Sequence, residues 1–191
     1  MGLDMYLDRC DRRAYGFRNM DIDEVKKNNP SLYNDLKPYI HQRGSEHYHW
    51  ESLFENVGYW RKANAIHKWF VDNVQNGVDN CEYYEVSKEQ LEELLETCVK
   101  VRDASNMEKG LVKNGETYQN GKLIPNMVEG EYIVDATVAN ELLPTQGGFF
   151  FGSTDYDQWY MDDIIETIDI LTKALETTDF DREMITYCSS W

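Results

Sequence analysis

The sequence predicts an α+β fold in a single domain that spans residues 1–191. Apolar residues recur every three or four positions in some segments, as in amphipathic helices, and alternate in others, as in half-buried strands. The two kinds of segment do not follow a regular strand–helix–strand rhythm, so a parallel α/β sheet is not expected. A length of 191 residues suits one domain. We therefore expect several helices packed against short, mostly antiparallel strands.

The first third of the chain contains short elements. Residues 2–7 alternate as an opening strand does. Ser31 is a candidate N-cap for a short helix that continues through Leu36. The aromatic segment 48–59 predicts one or two strands.

The middle of the chain predicts two helices around a strand. Apolar side chains between residues 63 and 74 form a helical stripe, and Gly77 is expected to end that helix. Residues 81–86, CEYYEV, predict a strand. Ser87 followed by Gln90 forms a capping box, which predicts a helix that runs to about residue 102.

The segment 103–131 is rich in Asn, Gly, Lys and Glu. It contains two dipeptides, Asn114-Gly115 and Asn120-Gly121, that favour hairpin turns. We therefore expect a β-hairpin or a mobile excursion from the domain.

The last third of the chain predicts the longest helix. Residues 136–143 form a short helical pattern before Pro144, and residues 149–151 suggest a buried strand or packed turn. An amphipathic pattern from about residue 155 to residue 176 predicts the long helix. Residues 184–187 predict a final strand.

Charge restricts the classes of partner. Asp and Glu number 35 against 19 Lys and Arg, giving a formal net charge of −16. Such a surface repels nucleic acids and anionic membranes at long range, so neither is an expected partner. The simplest interpretation is a solvated acidic surface. A sharper interpretation is a nucleic-acid mimic that fills the basic groove of another protein.

Localisation is expected to be cytoplasmic. The four cysteines are far apart and form no CxxC pair, which suits a compartment that keeps thiols reduced. The opening segment MGLDMYLDRCDRR contains acids and lacks the apolar stretch of a secretory signal. No apolar run approaches the length of a membrane-spanning helix.

One tract without acidic residues indicates a binding site. Residues 56–71 contain no Asp or Glu, and within them lies the sequence GYWRKANAIHKWF. Cations, hydrogen-bonding groups and aromatic faces together are a common way to hold bases and phosphates. Candidate ligand contacts in this tract are Tyr59, Trp60, Arg61, Asn64, His67 and Lys68. On a helix that began near Trp60, Trp60, Asn64 and His67 would share one side. The alternative is an ordinary amphipathic helix with its aromatics in the core.

A second tract without acids covers residues 142–154 and reads LLPTQGGFFFGST. Two such tracts in an acidic chain suggest a shared cleft for an anion. Ser153 and Thr154 would lie at the start of the long helix, where free N–H groups favour anions. The alternative is simple helix capping. Asp155 and Asp157 would stabilise the first turn of that helix, and their spacing is only weak evidence for Mg²⁺.

Motifs for metals and for catalysis are weak. His41, Glu46, His47 and His49 match no established zinc-ligand pattern, so neither a metal nor a cofactor is expected. The chain contains no GxSxG, P-loop or GxGxxG motif. Catalysis by residues distant in sequence stays open.

Several motifs resemble one family. The start MGLDMYL, the stretches VGYWRKANAIHKWFVDNVQNGVDNCEYYEVS and LLPTQGGFFFGSTDYDQWYMDDI, and the end SSW resemble small proteins encoded by phages and prophages of Gram-positive bacteria. The resemblance covers most of the chain and is weakest over residues 100–130. It implies expression inside a bacterial host cell and a role against host defences, but no particular reaction.

The sequence therefore favours a non-enzymatic protein that sequesters a small anionic, nucleotide-like ligand. Two alternatives stay open. One is an acidic inhibitor that blocks a host defence protein, and the other is a small enzyme that acts on a phosphorylated metabolite with His67 as its acid or base. A homo-oligomer also stays open.

Overall fold

The computed structural model describes residues 2–18, 21–45 and 48–191, and it confirms the predicted α+β fold. The strands are β1 (Asp4–Asp11), β2 (His41–Ser45), β3 (Tyr48–Ser52), β4 (Glu55–Arg61), β5 (Tyr84–Val86), β6 (Met107–Gln119), β7 (Lys122–Ile133) and β8 (Glu183–Ser190). The helices are α1 (Ile22–Asn28), α2 (Pro30–Leu36), α3 (Asn64–Asn73), α4 (Lys88–Ala104), α5 (Thr137–Leu142) and α6 (Gln158–Thr177). Two short 3₁₀ helices cover Arg12–Phe17 and Lys37–Tyr39.

A four-stranded antiparallel sheet organises the molecule, with strand order β4-β1-β8-β5. Strand β1 pairs with β4 on one side and with β8 on the other, so that Tyr6 lies opposite both Tyr59 and Cys188. Leu3, Met5 and Leu7 alternate along the chain and have no exposed surface. Their period of two directs this face of β1 into the core.

Helices α3, α4 and α6 cover the sheet and enclose the main core. Helix α4 buries Leu91, Leu94 and Cys98, which are spaced by three and four residues and so share one face. Trp60 of β4 lies beneath α6, where its indole Nε1 donates a hydrogen bond of 2.9 Å to Thr167 Oγ1. The indole of Trp60 is fully buried, and this bond gives its one polar atom, Nε1, a hydrogen-bond partner.

A smaller core lies under α1 and α2. It consists of Cys10, Ala14, Val25, Leu36, Leu53, Phe54 and Met184. Helix α1 was not predicted from the sequence. The N-cap of α2 is Asn29, whose Oδ1 accepts the N–H of Leu32, and so the prediction of Ser31 as the cap is wrong. Pro30 occupies the first helical position, where its fixed φ and missing N–H are tolerated.

The capping box of α4 is confirmed: Ser87 Oγ accepts the N–H of Gln90, and Gln90 Oε1 accepts the N–H of Ser87. Helix α6 has 20 residues and is the longest helix in the described part of the chain. It begins at Gln158 rather than near residue 155, because Asp157 Oδ1 caps it by accepting the N–H groups of Trp159 and Tyr160.

The predicted hairpin is strands β6 and β7. Asn120 and Gly121 have φ values of 52° and 80° and form its turn. The other dipeptide, Asn114-Gly115, does not form a turn. It lies where the register between β6 and β7 shifts, so it is a bulge within the hairpin.

No helix in the described residues combines the length and apolar character needed to cross a membrane. All four cysteines are free thiols.

Candidate functional site

The two tracts without acids meet at Asn64. Its side-chain amide donates hydrogen bonds to the carbonyl oxygens of Phe151 (3.0 Å) and Ser153 (2.7 Å), and its Oδ1 accepts the N–H of Gln146 at 2.9 Å. Asn64 is the first residue of α3 and is only 4% exposed. The predicted approach of the two tracts is therefore confirmed, with Asn64 as the link between them.

The turn between β4 and α3 presents two cations beside this junction. Arg61 is the last residue of β4, and its side chain is 61% exposed. Its Nε lies 4.0 Å from a carboxylate oxygen of Asp4. Lys62 follows with a φ of 64°, an uncommon conformation for a residue with a side chain.

Gly152 of the second tract packs against Lys62. A Cβ at position 152 would lie 3.2 Å from Lys62 Cβ, and its φ of 90° also favours glycine. Two adjacent backbone segments thus adopt left-handed conformations at the same place. Unusual backbone conformations of this kind concentrate at functional sites.

A cavity of about 600 Å³ opens beside these residues. Its walls are the β4–α3 turn, the loop before α6, the first turns of α6 and the bulge of the hairpin. Its lining includes Arg61, Lys62, Asn64, Ala65, Lys113, Asn114, Gly115, Glu116, Thr145, Gly152, Ser153, Asp155, Asp157, Trp159, Tyr160, Asp162 and Asp163. A volume of this size can accommodate a nucleotide-sized ligand.

Two of the predicted contacts lie in the core instead. Trp60 and His67 have no exposed surface and do not line the cavity. The expectation that a helix begins near Trp60 is wrong, because Trp60 belongs to β4 and α3 begins at Asn64. Trp60 and Asn64 therefore do not share a helical face.

The hydrogen bonds of His67 indicate a structural role. Its Nε2 lies 3.0 Å from a carboxylate oxygen of Asp79, and its Nδ1 lies 2.8 Å from the hydroxyl of Tyr187. Since the carboxylate of Asp79 can only accept, Nε2 carries a proton and donates it to Asp79. Catalysis by His67 in this cavity is therefore not supported.

Three other predicted contacts, Tyr59, Lys68 and Thr154, lie outside the cavity lining. Tyr59 is exposed and its hydroxyl donates to Asp4. Lys68 pairs with Asp72 one helical turn away, at 2.6 Å. The carbonyl of Thr154 accepts a hydrogen bond from Thr145, so this residue shapes the loop.

Ser153 does line the cavity, but not at a helix terminus as expected. Helix α6 begins five residues later at Gln158. The hydroxyl of Ser153 lies 3.1 Å from a carboxylate oxygen of Asp155 and accepts the N–H of that residue. Of the eight predicted contacts, the structure therefore places Arg61, Asn64 and Ser153 around the cavity.

Three further lining residues are not among the eight candidate contacts. Lys62 is a charged donor of the first predicted tract. Lys113 is brought to the cavity by the hairpin bulge, and Trp159 by the first turn of α6. Trp159 is 36% exposed as a residue and supplies an aromatic side chain to the lining. Only the Asn-Gly dipeptide at the bulge marked the neighbourhood of Lys113 in the sequence.

The charge of the cavity is mixed. Three cationic and five acidic side chains line it. Burial raises the pKa of the Asp163 carboxyl to about 7, and the charges of Glu166, Asp162 and Asp157 act in the same direction. Burial also raises the pKa of Asp157, although hydrogen bonds from Tyr160 and Trp159 oppose the change.

No group of three or more His, Cys, Asp or Glu side chains within residues 2–18, 21–45 and 48–191 is arranged to hold a metal ion. Of the histidine-rich segment considered for zinc, Glu46, His47 and the side chain of His49 lie outside the described residues. No protein-family model, curated protein or solved structure matches the chain.

Proposed function

We propose that the protein binds and sequesters a small anionic, nucleotide-like ligand in the cavity between the β4–α3 turn and α6. The observation that carries this proposal is the junction at Asn64, which brings both tracts without acids to one cavity. In a chain with a net charge of −16, an anion depends on local cations, and the β4–α3 turn presents two of them, Arg61 and Lys62, to this cavity.

The contacts in this proposal differ from those expected from the sequence. Arg61, Lys62 and Lys113 supply positive charge to an anionic group, and Ser153 supplies a hydroxyl. Trp159 supplies a face for a planar ring. Lys113 already pairs with Glu116 at 2.7 Å, so Arg61 is the cation with the weaker competing partner.

The resemblance to phage and prophage proteins gives the proposal a biological setting. A protein that sequesters a nucleotide-like molecule in a bacterial cell would lower the concentration of that molecule. A nucleotide signal used in host defence is the kind of ligand that such a protein would remove.

Native mass spectrometry of the purified protein tests this function. The protein is expressed in a bacterial host, and its mass is compared before and after heating. Release of an intact anionic metabolite supports sequestration, whereas release of a chemically converted product supports an enzyme. If no anion from a nucleotide mixture adds to the protein, the proposal is wrong.

The acidic surface favours a second candidate, an inhibitor of a host defence protein. Helix α6 exposes Asp162, Glu166 and Asp169 along its length. Such a protein would bind its partner through carboxylates and would not need the cavity. Substitutions on α6 away from the cavity, such as Asp169→Asn, would weaken that complex, whereas Arg61→Ala would not.

A further inference from the structure

The acidic wall of the cavity is not explained by an anionic ligand. Asp155, Asp157, Asp162 and Asp163 lie on or just before the first turns of α6, and all four line the cavity. An anion held by Arg61 would be repelled by these carboxylates. A ligand that fills the whole cavity must therefore carry a group that interacts favourably with these carboxylates.

Asp157 gives the clearest indication of which chemical group the acidic wall binds. Its side chain is a lining residue, yet the residue is only 2% exposed. Oδ1 caps α6 by accepting two backbone N–H groups. Oδ2 has no hydrogen-bond donor within the described part of the chain. A buried carboxylate oxygen without a donor is costly, so an N–H donor from a ligand that reached this atom would relieve that cost.

Asp163 is a second carboxyl group of the same wall, and it is partly buried. It belongs to α6 and lines the cavity together with Asp157 and Trp159. The pKa of its carboxyl is raised, first because the group is buried and then because Glu166, Asp162 and Asp157 add negative charge nearby. The wall therefore holds acidic groups without enough cations to balance them.

The arrangement of the carboxylates favours a nitrogen group over a metal ion. No three of them within the described residues are placed to coordinate one metal. An ammonium or guanidinium group carries several N–H donors that point in different directions, so it can use carboxylates that are spread along a wall.

We propose that the ligand of this cavity is a zwitterion, with a positively charged nitrogen group held by Asp157 and Asp163 and an anionic group held by Arg61. This inference rests on the proposed function, because it assigns the other end of the same ligand. The exposed indole of Trp159 supplies a face that also attracts a cation.

Three small probes separate the two ends of the ligand. Phosphoethanolamine carries a phosphate and an ammonium group, ethyl phosphate carries only the phosphate, and ethylamine carries only the ammonium group. Their affinities are measured by titration with NMR detection. We expect phosphoethanolamine to bind about tenfold more tightly than ethyl phosphate, as for one charge-assisted hydrogen bond.

Variants assign that advantage to the acidic wall. Asp157→Asn keeps a side chain that caps helices well, and Asp163→Asn is a second variant that does not touch the cap. Each is expected to remove most of the advantage of phosphoethanolamine while leaving ethyl phosphate binding intact or slightly stronger. Asp169→Asn, an exposed position on α6 outside the cavity, is the matched control and should change neither affinity.

The outcomes separate this inference from the proposed function. If ethyl phosphate binds as tightly as phosphoethanolamine and depends on Arg61, the anion site stands and the zwitterion is wrong. If ethylamine binds through Asp157 but neither phosphate depends on Arg61, the acidic wall binds cations and the proposed function is wrong. Binding that requires added Mg²⁺ would also overturn the assignment of a nitrogen group.

Discussion

Arg61 is the side chain on which the proposed function depends most directly. Replacing it with Ala removes a charge-assisted hydrogen bond worth roughly 1.5–3 kcal/mol, so ligand affinity should fall on the order of ten- to a hundredfold. Arg61→Lys should restore only part of that loss, because a point charge does not reproduce the bidentate geometry of a guanidinium. Calorimetric titration with the ligand identified by mass spectrometry measures both effects.

Thermal melts distinguish a binding role of Arg61 from a structural one. Its side chain is 61% exposed, so Arg61→Ala should leave Tm nearly unchanged. Arg102→Ala is the matched control, since Arg102 is an exposed arginine that pairs with Asp103 away from the cavity. Unchanged affinity in Arg61→Ala would remove this residue from the site.

Asn64 should be the most important hydrogen-bonding residue for the shape of the cavity. Asn64→Ala leaves two carbonyl oxygens and one N–H group without their partner, so we expect a loss of roughly 2–4 kcal/mol in the free energy of unfolding. Chemical denaturation measures this loss. Asn73→Ala removes one hydrogen bond to the carbonyl of Trp69 from an exposed residue of the same helix and should cost much less. Equal losses in the two variants would contradict the linking role of Asn64.

Asp163 should make the stability of the protein depend on pH. Its pKa is about 7 in the folded protein against a usual value of 3.8, so the folded state holds a proton that the unfolded state releases. Stability from this group is therefore present below the unfolded pKa and falls as pH rises from about 4 to 7. Asp163→Asn should remove that dependence.

At pH 8 we expect Asp163→Asn to increase the free energy of unfolding by about 2 kcal/mol. This is roughly half of the free energy that corresponds to the full pKa difference, because water partly screens the group. Denaturation curves at pH 5 and pH 8 for the wild type and the variant measure the difference. If the variant and the wild type have the same free energy of unfolding at both pH values, solvent reaches the Asp163 carboxyl freely.

At the scale of the helices and strands, the sequence predicts the start of a helix well where a capping residue determines it. The Ser87–Gln90 capping box marks the start of α4 because both hydrogen bonds are local in sequence. The start of α3 was predicted wrongly because helical and strand periods overlap in the stretch from residue 58 to residue 64. Trp60 suits a strand and a helix equally well until its neighbours β1 and α6 are known.

The turn of the hairpin also depends on contacts that the local sequence does not reveal. Asn120-Gly121 and Asn114-Gly115 are both chemically suited to a turn, and the sequence does not say which one forms it. Pairing of Val112 with Val128 at the base of the hairpin selects Asn120-Gly121 and leaves the other dipeptide as a bulge. Only cross-strand packing distinguishes the two.

Shortening the hairpin should damage the site without unfolding the domain. The base of the hairpin is anchored by Val112 and Ile133, which are 4% and 5% exposed, whereas residues 114–126 lie on the exposed part. Deleting residues 116–126 leaves Asn114-Gly115 as a two-residue turn that joins Lys113 to Met127, which already face each other. We expect ligand affinity to fall because Glu116 is removed and Asn114-Gly115 no longer form the bulge that lines the cavity.

Circular dichroism and thermal melts provide the control for the shortened hairpin. The spectrum should retain its helical signal, and the melt should stay cooperative. Loss of the cooperative transition would show that the hairpin is part of the folding unit, which would contradict the independence of the core.

At the scale of the whole molecule, a net charge of −16 should oppose folding through self-repulsion. Added NaCl screens this repulsion, so we expect Tm to rise by roughly 3 °C, corresponding to about 1 kcal/mol. Scanning calorimetry across a series of NaCl concentrations measures the effect. A fall in Tm would instead show that ion pairs such as Arg18–Asp8, at 3.1 Å, contribute more than the overall repulsion costs.

The sequence predicted one part of the site, the two tracts without acids, but not the acidic wall. Counting acids located the two tracts, because a long run without Asp or Glu is conspicuous in so acidic a chain. The acidic wall could not be located in this way, since its carboxylates look like an ordinary solvated face of α6. Their significance depends on the hairpin and the β4–α3 turn, which enclose them only in the folded protein.

The position of β1 has a consequence for how the chain folds as it is made. β1 leaves the ribosome long before β8, one of its two partners, which is separated from it by more than 170 residues. During translation β1 can pair with β4 while its other edge stays open. An unpaired edge next to apolar Met5 and Leu7 invites association with other nascent chains, so the growing polypeptide should depend on chaperones until β8 is synthesised.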